Sequence, residues 1–96
     1  MEHAILGSII SGELDREANE FTVTRLKTIS THSVWSIQQV REMYELLLQV
    51  LERGDESLVV TTGTLPLLVN RSEMEVLRAD LESVLATLPQ NTLPRT

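Results

Sequence analysis

Residues 58–70 read LVVTTGTLPLLVN, thirteen consecutive positions without a charged side chain. Two β-leaning runs, 58–62 and 65–69, flank Gly63 and Thr64, and a hairpin is the natural reading. Pro66 has no N–H for a ladder, so the second strand is expected at a sheet edge, or irregular at its start. A stretch this long without charge reads as buried. As a hairpin it makes the chain α+β. As a mere buried connector it would leave an all-α bundle, the alternative fold.

The flanks of this stretch are helical. On its amino-terminal side, Ser36 and Gln39 stand at capping-box spacing, with Trp35 and Val40 placed to staple the same turn. Ile37, Val40, Tyr44, Leu47 and Leu51 then recur at 3-4-3-4 spacing, which gives a helix one apolar stripe. Gly54 follows where a left-handed residue closes a helix, so the helix is expected over 36–54. On the other side the design repeats over 70–88. Asn70 and Glu73 form the box, Val69 and Met74 the staple, and Met74, Leu77, Leu81, Val84 and Leu88 the stripe. Pro89 is the expected stop.

Further out the signals weaken. Residues 21–29 are dense in β-branched side chains and read as a strand, with 30–33 a polar connector. Residues 2–11 suit a short helix weakened by its glycines, with a strand as the open alternative, and 13–20 read as a further helical turn or two. The expected order is α-β-α-β-β-α, a small three-stranded sheet of one strand plus a hairpin, packed by the two strong helices. Were 21–29 and 58–62 parallel neighbours, the central helix would be their right-handed crossover. One domain is expected over 1–88, with 89–96 a loose polar tail.

Composition narrows the function more than it identifies it. The chain has 96 residues and a net charge of −6, with few aromatics and no cysteine. An acidic chain is a poor match for a phosphate backbone, so no nucleic-acid partner is expected. Lack of cysteine removes disulfides and thiolate zinc sites. The apolar run at 4–10 is too short to cross a bilayer and lacks a cationic start. No membrane association is expected, and a cytoplasmic location follows by elimination.

No constellation of chemistry-bearing residues stands out, so no catalytic residue, cofactor or metal is assigned. His3 and His32 are the side chains that titrate near neutrality, and His32 lies among Ser30, Thr31 and Ser33. A histidine leading into a helix cap explains it better than a nucleophile pair, though a small-ligand or enzyme site near His32 is the alternative function. Glu13, Asp15, Glu17 and Glu20 lack the spacing of a calcium loop and read as solvated surface. Gly63 alone does not make a phosphate loop. Asn70-Arg71-Ser72 matches a glycosylation sequon, but Asn70 is needed as a helix cap. Arg25 and Lys27 read as an exposed strand face. Ala4, Gly7, Ser8, Ser11 and Gly12 place small residues at helical spacing, a pattern that permits close packing.

The central helix carries more apolar residues than its stripe requires. Met43, Leu46, Leu48 and Val50 lie outside it and are the candidate protein-interface residues, for a partner or for a second copy in a homodimer. The expected function is a small, acidic, non-enzymatic protein-interaction module: an oligomeric adaptor, regulator or inhibitor. The composition would also suit an accessory protein of a phage or mobile element.

Overall fold

The computed structural model describes residues 2–62 and 65–87. Gly63, Leu88, the expected stop at Pro89 and the tail at 89–96 lie outside the described residues, as does the side chain of His3. The elements are β1 (Glu2–Leu6), β2 (Ile10–Asp15), β3 (Glu20–Leu26), β4 (Ile29–Ser36), α1 (Ile37–Arg53), β5 (Ser57–Thr62), β6 (Leu65–Asn70) and α2 (Arg71–Thr87). They form two sheets, an antiparallel meander β1-β2-β3-β4 and the separate hairpin β5-β6. The chain is therefore α+β, but neither the three-stranded sheet nor the order α-β-α-β-β-α is what forms. An all-α bundle is excluded as well.

The first 36 residues account for the difference. Residues 2–11 are not a helix; they supply β1, a turn and the start of β2, and 13–20 continue β2 into the next hairpin. Asp15 Oδ1 accepts from the N–H groups of Glu17 (3.1 Å) and Ala18 (3.2 Å), which folds that second turn. Asn19 leaves the turn at φ 57, a left-handed conformation that asparagine tolerates. The run at 21–29 is interrupted by Lys27 at φ 58, and two-residue hairpin turns require a positive φ there. Its N–H reaches Ile9 O (2.7 Å), and the supposed connector 30–33 continues into β4.

Bulges at Ser11/Gly12 and between Val23 and Arg25 shift the alternation of side chains. As a result Leu14, Phe21 and Trp35 form one buried row across three strands. Val23 and Leu26, three apart, both face inward. The opposite face carries Ala4, Glu13, Thr22 and Val34 in register and is open, as an antiparallel sheet permits. Sheet β5-β6 does not join this one, so 21–29 and 58–62 are not parallel neighbours and α1 is no crossover within one sheet.

Both expected helices are present. Ser36 Oγ accepts from Gln39 N–H (3.1 Å), and Ser36 N–H donates to Gln39 Oε1 (2.8 Å). Asn70 and Glu73 make the same reciprocal pair at 2.9 Å each way. That bond from the Asn70 N–H, with Lys27 beside it, holds the Glu73 carboxyl below its usual range. Gly54 closes α1 at φ 82, donating to Leu51 O while Asp55 N–H returns to Val50 O. The helices run antiparallel. Tyr44 near the middle of α1 donates to Glu82 (2.8 Å) near the end of α2, and that carboxylate raises the phenol's pKa. Arg71 at the start of α2 reaches Asp55 O (3.3 Å) beyond the end of α1.

These boxes yield a direct expectation. Ser36→Ala and Asn70→Ala should each destabilise the fold by about 1 kcal/mol, since a helix-start N–H loses its side-chain acceptor. Urea midpoints measured on both variants check this, and unchanged values would contradict the observed caps.

One apolar cluster joins the two helices to the inner faces of both sheets. α1 lies over β3 and β4, while α2 lies over β2 and the hairpin. Two polar ties, one buried and one half-buried, hold this arrangement. Asp80 on α2 accepts from the N–H groups of Ser8 (3.2 Å), Ile9 (2.7 Å) and Ile10 (3.1 Å) in the β1–β2 turn. Arg25 on β3 donates to Gly7 O (2.9 Å), Ser11 Oγ (2.8 Å) and Lys27 O (2.9 Å).

Candidate protein-binding surface

The uncharged stretch forms the expected hairpin, but only half of it is covered. Period-two alternation sends Leu58, Val60, Leu67 and Val69 inward, and Val60 and Val69 are fully buried. The other face carries Val59, Thr61, Pro66 and Leu68, all exposed. Val59 and Leu68 stand directly opposite one another at 56% and 60% exposure. The absence of charge over 58–70 therefore marks an apolar surface as well as a buried face.

The edges of the hairpin are less open than its outer face. Leu68 O accepts from Lys27 Nζ (3.0 Å), which also pairs with Glu73 (3.3 Å). In an antiparallel pair, residues two apart send their backbone groups the same way. Pro66 thus faces the same outer edge of β6, where its missing N–H breaks no ladder bond. By the same alternation their partners Val59 and Thr61 turn backbone groups toward the outer edge of β5. That edge runs beside β4, and a shallow groove between them is lined by Trp35, Gln39, Met43 and Thr61. At about 120 Å³ the groove is well below the roughly 300–1,000 Å³ of small-molecule pockets.

The four candidate interface residues do not share a surface. Val50 is 2% exposed and belongs to the chain's own core. Met43 is half-buried against that core and lines the groove. Leu46 and Leu48 are exposed, but residues two apart on a helix point about 200° apart. Leu46 shares a side of α1 with Gln39 and Met43 at 4-3 spacing, next to the groove. Leu48 lies on the flank with Tyr44 and Leu51, toward α2. Counting apolar residues on α1 points to Leu46 and Leu48, whereas the bare face of the hairpin follows from strand alternation over 58–70.

The remaining candidates resolve into structural roles or open surface. His32 is exposed on β4, and Ser33, the next residue, is buried on the other face, so the two side chains diverge. Among the described residues no group of His, Asp and Glu could hold a metal ion. Asp15 serves its turn, Asn70 caps α2, and the cations of Arg25 and Lys27 are engaged inside the fold. Gly7 and Gly12 do mark close approaches, though of strands and Asp80 and not of helices. No described helix is long and apolar enough to cross a membrane. No family model, curated protein or solved structure matches the chain.

Proposed function

We propose that this chain is a non-enzymatic protein-interaction module, an adaptor, regulator or inhibitor that acts by binding protein in the cytoplasm. The observation that carries the reading is the outer face of the β5-β6 hairpin, where Val59 and Leu68 pair and, among the described residues, no element packs over them. Natural sheets guard such surfaces with charged side chains, because an exposed apolar hairpin invites association. No charged residue occurs anywhere between positions 58 and 70. The groove lined by Trp35, Gln39 and Met43 adjoins this face at Thr61. Nucleic acid is not the partner in this reading, since the chain is acidic and the Arg25 guanidinium is engaged by Gly7 O, Ser11 Oγ and Lys27 O.

The test compares wild type with a Val59→Ser, Leu68→Ser double variant, each tagged, cross-linked and co-purified from the native host with an untagged copy co-expressed. The wild type is expected to retain a protein, its own copy included, that the double variant loses. Circular dichroism should find both forms equally folded, as both positions are exposed. Equal recovery from both forms, or from neither, would overturn the reading.

A further inference from the structure

We infer that the partner on the hairpin's outer face is a second copy of this chain, the two hairpins packing face to face about a two-fold axis. This rests on the interaction reading above and names its partner. Three features of the surface carry it.

The first is the state of the edges. Strand addition needs a free ladder, but Pro66 and the Lys27-bonded carbonyl of Leu68 occupy the outer edge of β6. β4 and the groove residues Trp35 and Met43 flank the outer edge of β5. The open approach is onto the face, and two twisted sheets stack there about 10 Å apart.

Charge supplies the second feature. Near a two-fold axis each residue meets its own copy, so any charge there faces its like. With a net charge of −6, most of the surface forbids such a contact. The outward side of α1 carries Glu42, Glu45 and Glu52, that of α2 Glu75 and Glu82, and the open face of the four-stranded sheet Glu13 and Glu20. Val59, Thr61, Pro66 and Leu68 carry none, so two acidic copies can meet there without like charges in contact. A basic partner would be drawn to the acidic faces instead.

Area sets the strength. Two strands present a face about 10 Å wide and about 17 Å long. This is far below the roughly 800 Å² per partner of a standard stable interface. The dimer is therefore a weak one that dissociates on dilution through the micromolar range.

Sedimentation equilibrium on the full chain, from low micromolar to near millimolar, tests the inference. Wild type should rise from the 10.8 kDa monomer toward twice that mass. Association should tighten as salt is raised, because screening weakens the repulsion between two acidic copies while the apolar contact persists. Val59→Asp, and separately Leu68→Asp, should weaken association at least about tenfold by placing like charges at the axis. Val34→Asp, on the open face of the other sheet, should leave it unchanged. Circular dichroism checks that each variant is folded, and either hairpin variant alone suffices as the reading. A wild type monomeric throughout, or a dimer indifferent to the hairpin variants, would overturn the inference. A monomeric wild type that still retains a different protein in the co-purification would overturn it while leaving the interaction reading standing.

Discussion

Asp80→Ala is expected to destabilise the protein by about 3–5 kcal/mol, much of the roughly 5–15 kcal/mol that holds a domain of this size together. The Asp80 carboxylate is 8% exposed and accepts three successive backbone N–H groups, those of Ser8, Ile9 and Ile10. Removing it leaves these donors without their acceptor, with the buried Ile10 N–H worst placed. Charge-assisted bonds of this kind are stronger than neutral ones, so the loss exceeds that of a helix cap. Asp80→Asn retains one acceptor oxygen and should fall between wild type and alanine. Urea denaturation of the three forms measures the series. A midpoint for Asp80→Ala within that of Ser36→Ala would show that the β1–β2 turn does not depend on α2. The same contact explains Gly7, where an added Cβ would lie 2.6 Å from Asp80 Oδ2.

The second large effect belongs to Gly12. This residue sits at the β2 bulge, facing the core, where an added Cβ would run into Thr22 O and lie 3.0 Å from Phe21 Cε1. The obstruction is backbone of β3, which cannot swing aside as a side chain can. Gly12→Ala should therefore cost at least the upper end of the roughly 1–3 kcal/mol typical of overpacking. Gly54→Ala provides the contrast. Gly54 has open space around its Cα and needs glycine only for its φ of 82, so a cost of about 1 kcal/mol is expected there. Thermal or urea denaturation of both variants decides the order. A larger loss at Gly54 than at Gly12 would contradict the packing described.

These positions mark where reading the sequence failed. Ile5, Leu6, Ile9 and Ile10 recur at intervals that suit a helix face, and Gly7 and Gly12 look like weak points within one. In the fold they belong to two strands and the turn between them. The placement of the α1 candidates was hidden for a related reason. Excess apolar character on α1 was visible, but which residues the core would take was not. Val50 went inward, Met43 half inward, and Leu46 and Leu48 to opposite flanks.

The sequence by itself determined the elements whose signals are local. Ser36 with Gln39, Asn70 with Glu73, Gly54 and the two apolar stripes act within a few residues, and so does the alternation of the β5-β6 hairpin. Helix caps and tight turns form between groups that the chain already holds close, so their partners can be read from spacing. Tertiary structure decided that residues 2–15 form strands and which side of the hairpin would remain bare. The β1–β2 turn is held by a carboxylate more than seventy positions away, and Gly12 is required by the carbonyl of Thr22 on the neighbouring strand. α2 covers one face of the hairpin and leaves the other to solvent. Spacing along the chain carries no record of such contacts, because the partners belong to different elements and meet only in the folded chain.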